Sequence, residues 1–103
     1  MVYIVVKSFY PSHIAEKVNE RYLEMLQKFP PGNSLGEQVV PAAARATKDG
    51  FESLHLTLVK EGKFDEALIR TGAAVGMFSD IEGYEFSIET WVTVQETQKM
   101  GIL

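Results

Sequence analysis

Few side chains in this 103-residue chain could do chemistry. There is no cysteine, which removes thiol nucleophiles, disulfides and thiolate zinc sites together. Two histidines remain, His13 and His55, and histidine is the side chain whose ordinary pKa lies close to neutrality. His55 could act as a general acid or base if Glu89 oriented its ring and Lys7 or Arg45 held a substrate carboxylate or enolate. Tyr3 and Trp91, with Phe9, could stack an aromatic ligand beside them. The same residues also have a plainer reading. Lys7 and Glu89 could form an ion pair inside an interface, His55 could satisfy a neighbour's carbonyl, and Trp91 and Tyr3 could pack against a partner protomer.

Other chemistries find less support. His13 falls in the first turn of an expected helix, where a surface histidine is unremarkable. A metal site would need His13 or His55 together with Asp80, Glu82 or Glu85, yet no ligand pair has the i, i+4 spacing of a metal-binding helix, so no metal and no cofactor is expected. Ser53 and Ser87 lie in strand patterns with nothing resembling a nucleophile elbow.

The elements that must position these residues follow from hydrophobic periodicity. Val2–Tyr10 is rich in β-branched and aromatic residues and is stopped by Pro11, which predicts a first strand. Ser12 is expected to cap a helix in which Ile14, Val18, Tyr22, Met25, Leu26 and Phe29 recur on one face. Pro30-Pro31-Gly32-Asn33 ends it. From Glu37 to Lys48, Pro41 argues against a helix and the flanking Gly36 and Asp49-Gly50 favour an edge strand closed by a tight turn. Phe51–Lys60 alternates as a third strand. A second helix runs from Asp65 to about Ser79, where Gly72 and Gly76 are read as close packing against a sheet. Tyr84–Glu96 is expected as one long final strand, followed by a polar tail ending in Gly101-Ile102-Leu103.

The resulting βαββαβ order predicts a single domain over residues 1–103 of the α+β class: a ferredoxin-like sandwich with one four-stranded antiparallel sheet and two helices on one face. The expected strand order is 4-1-3-2, with the first and third strands taken as parallel neighbours. Counting from their starts then places Val5 and Lys7 near His55 and Thr57, with Glu89 alongside the first strand. Strand parity assigns Val2, Ile4, Val6, Leu54, Leu56, Leu58, Tyr84, Phe86, Ile88, Val92 and Val94 to the helix-covered face. Tyr3, Val5, Lys7, Phe9, Arg45, Phe51, His55, Val59, Glu89 and Trp91 fall on the other. That second face is too aromatic for solvent, which marks a partner surface or a ligand groove.

An element order of this kind, with a long final strand and an aromatic, half-polar outer face, resembles the dimeric α+β barrel superfamily, in which two ferredoxin-like protomers pack sheet to sheet. The resemblance covers the chain at the level of element order and carries no catalytic motif. It implies a homodimer and a cavity on the sheet face. The superfamily includes cofactor-independent monooxygenases, isomerases, haem-handling enzymes and amino-acid-sensing domains, so the fold does not choose among them. The leading expectation is a dimer that binds a small organic molecule through Tyr3, Lys7, Arg45 and Trp91. The alternative is a cofactor-independent monooxygenase or isomerase with His55 and Glu89 as catalytic residues.

Charge and hydropathy narrow the partners. Fourteen acids against ten bases give a net charge of −4, and Glu52, Glu85 and Glu89 oppose an RNA-binding platform on the sheet, so no nucleic acid is expected. No apolar run approaches the roughly 20 residues of a membrane span. A cytoplasmic protein without a membrane partner is the expectation.

Overall fold

A computed structural model describes residues 1–101 of the protein; the last two residues of the expected tail, Ile102 and Leu103, lie outside the described residues. Strand β1 spans Val2–Pro11 and passes through a single 3-10 turn, Ser12–Ile14, into helix α1, Ala15–Lys28. The hairpin β2 (Gly36–Thr47) and β3 (Gly50–Val59) leads to helix α2 (Phe64–Gly76), strand β4 (Glu85–Val92) and a short helix α3 (Val94–Lys99). The four strands form one antiparallel sheet in the order β2-β3-β1-β4, the ferredoxin-like arrangement.

The register corrects two expectations. β1 and β3 are antiparallel rather than parallel, with Ile4 opposite Thr57, Val6 opposite His55, Ser8 opposite Ser53 and Tyr10 opposite Phe51. Residues opposite one another in an antiparallel pair share a face of the sheet, and that face alternates along each strand. The even-numbered residues of β1 face the helices, since Ile4 is buried with Ala67 of α2 while Val2 and Ile88 pack around them. His55, Ser53, Thr57, Phe51 and Val59 therefore face the helices too, and Leu54, Leu56 and Leu58 take the outer face. The expected parity of β3 is inverted. The assignments for β1 stand, as do those for β4 from Phe86 to Val92.

Two groups of buried side chains hold the helices to the sheet. Ile4, Val59 and Ala67 form one, with Phe64, Leu68 and Leu35 around it; Val18, Phe78 and Ile81 form the other, with Tyr10, Ile14, Tyr22, Met25 and Tyr84. Each buried Val or Ile contributes on the order of 1.5–3 kcal/mol. At one end, Arg21 of α1 forks onto Asp80 beyond α2, at 2.5 Å and 3.2 Å, and also donates to the Met77 carbonyl. At the other, Arg70 of α2 donates to the Pro30 carbonyl at 2.6 Å with its guanidinium 5.9 Å from the Phe29 ring centre.

Smaller departures have local causes. Ser12 does not cap α1: its carbonyl accepts from the Ala15 N–H within the 3-10 turn, and the helix starts afterwards without a side-chain cap. β4 ends at Val92 rather than Glu96, because the Thr93 hydroxyl accepts from the Glu96 N–H at 3.3 Å and starts α3; Val94 is thus exposed on a helix. β2 shifts register between Gln38 and Val40 and again before Ala43, around Pro41, whose missing N–H cannot extend the ladder.

Gly72 and Gly76 also differ from expectation, since a Cβ at either would meet nothing within 4 Å. They do not mark a close approach to the sheet. Gly50 does mark one: its φ is +155°, and a Cβ there would run into the Tyr10 carbonyl across the ladder. Substituting alanine at these positions should therefore give opposite signs. Gly50→Ala is expected to cost about 2 kcal/mol or more, whereas Gly72→Ala should stabilise by about 0.5–1 kcal/mol. Urea unfolding midpoints of the two variants check both signs.

Candidate functional site

The helices leave part of the sheet uncovered. Between α1, α2 and the inner face of β1 and β3 lies a cavity of about 660 Å³. Its floor comes from the inward positions of the strands, Val6, Ser8 and Tyr10 from β1 and Ser53, His55 and Thr57 from β3. Its walls are Val18, Tyr22, Met25 and Leu26 of α1 and Ala67, Thr71, Ala74, Val75 and Phe78 on the α2 side. Exposed members of its lining, among them Asn19, Pro30, Pro31, Ser34, Pro41 and Arg70, mark the rim where it meets solvent.

The floor combines flat rings with a few polar groups. Tyr84 stacks on Phe78 at 4.8 Å and on Tyr10 at 6.0 Å between ring centres, and Tyr10 leans on Phe51 at 5.5 Å. Ser8 is buried and its hydroxyl bonds that of Ser53 across the strand pair. Burial pushes the Tyr84 phenol above its ordinary pKa, an effect partly opposed by a hydrogen bond with Ser8. Burial pulls the His55 imidazole below its ordinary value of 6.5, with no ion pair or hydrogen bond contributing to the shift. At neutral pH the ring is thus uncharged, with one nitrogen to donate and one to accept.

The other expected site residues lie on the opposite, outer face. Glu89 is at the centre of a cluster there: Trp91 Nε1 donates to it at 2.8 Å, Lys7 Nζ approaches to 3.3 Å and Ser87 donates at 3.3 Å. These contacts, Trp91's first, hold its carboxyl below the ordinary range. The Lys7 ammonium lies 5.5 Å from the Trp91 ring centre, and Tyr3 is Trp91's cross-strand neighbour. Arg45 stands apart towards the β2 edge, paired with Glu52 at 2.9 Å.

Glu89 does run alongside β1, opposite Val5, as expected. It cannot orient His55, because the sheet separates them. The structure thus brings Tyr3, Lys7, Glu89 and Trp91 together and places His55 elsewhere. Sequence reasoning missed Ser8, Tyr10, Tyr22, Arg70 and Tyr84 as cavity residues. One signal was available: Ser8 interrupts the apolar series Val2, Ile4, Val6 on the helix-facing parity. Among the described residues no group of three His, Asp or Glu side chains is placed to hold a metal ion, and no helix is long and apolar enough to cross a membrane.

No family model and no curated protein sequence matches the chain. Solved structures do share its architecture. A putative antibiotic biosynthesis monooxygenase from Deinococcus radiodurans superposes with a TM-score of 0.62 at 10% identity, over 90% of this chain and 92% of that one. The de novo designed protein Foldit4 superposes with a TM-score of 0.54 at 11% identity, over 89% and 97%. The chain therefore has the ferredoxin-like α+β fold, the protomer fold of the dimeric α+β barrels that its element order resembles. A designed sequence adopts it too, so the function has to be argued from the cavity and not from the architecture.

The position of His55 sets a pH dependence of stability. A folded-state pKa below the unfolded value means that the unfolded chain takes up the proton first, so stability is fully present above the ordinary value and falls as pH drops through it. Between about pH 7.5 and 5.5 the urea midpoint should decline in the wild type and stay nearly level in His55→Gln. Equal slopes in the two proteins would show the ring to be solvated in both states.

Proposed function

We propose that the protein is a homodimer in which each protomer binds a small, flat organic molecule between its sheet and its helices. The cavity carries this reading. Its volume of about 660 Å³ is within the range of small-molecule sites, its walls are mostly aliphatic and aromatic, and Ser8, Ser53 and His55 set three polar side chains side by side on its floor. Tyr10, Tyr84 and Phe78 give a stacked surface to an aromatic ring, and the uncharged His55 supplies a directional hydrogen bond. The Deinococcus protein's description as a monooxygenase agrees with a small-molecule role for this fold.

The homodimer rests on the outer face of the sheet. Inverting the β3 parity makes that face more apolar than expected, since Leu54, Leu56 and Leu58 now join Tyr3, Val5 and Trp91 there. Trp91 is 53% exposed and Leu54 37% exposed in the single chain. A second copy packed on this face would cover them, and the Lys7–Glu89–Trp91 cluster would serve as a polar, internally satisfied part of the interface. Tyr3, Lys7 and Trp91 thus belong to assembly in this reading, with Arg45 at its margin, and ligand recognition moves to the cavity.

Two measurements test the two parts. N-phenyl-1-naphthylamine, a neutral fluorescent aromatic, should bind saturably at one site per protomer, and Ala74→Trp, which fills the cavity from α2, should abolish that binding while leaving the far-UV circular dichroism unchanged. No saturable binding, or full binding by the filled variant, would overturn the cavity reading. Sedimentation at micromolar concentration should give about twice the chain mass of 11.5 kDa, and Trp91→Asp should shift the protein to monomer by placing an unpaired carboxylate in the interface. A monomeric wild type sinks the dimer and leaves the cavity standing.

A further inference from the structure

We infer that the cavity selects aromatic carboxylates, with Arg70 at the rim as the residue that recognises the acid group. This inference rests on the cavity reading above and names the class of molecule that site takes. The first observation is the charge of the lining. The chain carries fourteen acids and ten bases, yet among the described residues no Asp, Glu or Lys lines the cavity, and Arg70 is the one charged side chain that does. A cation entering this space would lose hydration and meet a guanidinium instead of a counter-charge, whereas an anion would meet its complement.

The second observation is what Arg70 does with its donors. The chain has three arginines. Arg21 is paired with Asp80 and Glu24, and Arg45 with Glu52. Arg70 meets no carboxylate among the described residues: one terminal nitrogen donates to the Pro30 carbonyl, and the guanidinium lies against the Phe29 ring. A guanidinium has five N–H donors in a planar fork, so this contact fixes the group in place and leaves donors for a carboxylate. The Phe29 ring and the Pro30 carbonyl hold it at the rim.

The third observation is polarity along the cavity. The positive group stands at the rim, the stacked rings of Tyr10, Tyr84 and Phe78 lie inside, and the uncharged His55 lies on the floor with Ser8 and Ser53. A flat molecule with a carboxylate at one end and a hydroxyl at the other matches that sequence of environments. Its acid would stay near water, where the desolvation cost is smallest, and its hydroxyl would bond inside.

The test compares 6-hydroxy-2-naphthoic acid with its methyl ester, which share a ring and hydroxyl and differ in charge, by titration calorimetry. The acid is expected to bind the wild type at least about tenfold more tightly than the ester, and to weaken as salt is raised. Arg70→Gln should bring acid and ester to near parity by weakening the acid alone. Arg70→Lys, which keeps the charge and loses the fork, should restore part of the preference. A structural loss at the Phe29–Pro30 contact would weaken both compounds together, so a ratio unchanged in Arg70→Gln overturns the role of Arg70. Equal binding of acid and ester by the wild type overturns the inference while the cavity reading stands. Failure of both compounds and of N-phenyl-1-naphthylamine to bind removes the cavity reading and this inference with it.

Discussion

The antiparallel register of β1 against β3 is the constraint on which the site depends. Because Val6 is opposite His55 and Ile4 opposite Thr57, every inward position of β3 is fixed by the inward positions of β1. A slip of one residue would exchange the two sets, sending His55 to the outer face and Leu54, Leu56 and Leu58 into the helix layer. Gly50 helps to pin this register. It closes the hairpin where the Tyr10 carbonyl comes too near for any Cβ, and the Thr47 hydroxyl accepts from the Asp49 and Gly50 N–H groups at 3.2 Å and 3.1 Å to define the turn.

A second consequence is a division of labour between the faces. The inner face is only partly covered, since the helices are held at two places: Arg21 with Asp80 and the Val18–Phe78–Ile81 group at one end, Ala67 with Ile4 and Val59 at the other. Between them the sheet carries serine, histidine, threonine and tyrosine, side chains that an apolar core would leave unsatisfied but that a cavity can use. The outer face carries leucine, valine, tyrosine and tryptophan around the Lys7–Glu89–Trp91 cluster, with the Arg45–Glu52 pair towards the β2 edge. Uncharged polar groups thus line the side with space, and the outer face combines apolar side chains with ionised ones that pair among themselves.

Much of the fold was legible from residue types. The β-branched and aromatic run Val2–Tyr10, the 3.6-residue spacing from Ile14 to Phe29, and Pro41 between Gly36 and Asp49-Gly50 predict a strand, a helix and an edge strand, and each is present, the edge strand with register shifts that the sequence reading did not include. Local hydrogen bonding escaped notice at Ser12, where a 3-10 turn delays the start of α1, and at Thr93, whose cap ends β4 early and starts α3, a helix absent from the sequence reading. The site was less legible because both faces of β3 look suitable for burial. Leu54, Leu56 and Leu58 are the more apolar set, and assigning them to the helices is reasonable only when one face of a sheet is buried and the other meets water.

The sequence alone determined the βαββαβ order of the main elements, the four-stranded sheet in the order 4-1-3-2, the presence of apolar residues on both faces of its strands, and the exclusion of thiol chemistry. These depend on periodicity and composition, which are local or additive properties of the chain. Only the tertiary structure decided that His55 and Glu89 lie on opposite sides of the sheet, that Ser8, Ser53, His55 and Tyr84 share one cavity, and that Arg70 stands at its rim. Those facts depend on pairing between strands some forty to fifty residues apart and on where the helices stop covering the sheet. Alternation within a strand says that two residues share a face; it takes a neighbouring strand and a packed helix to say which face it is.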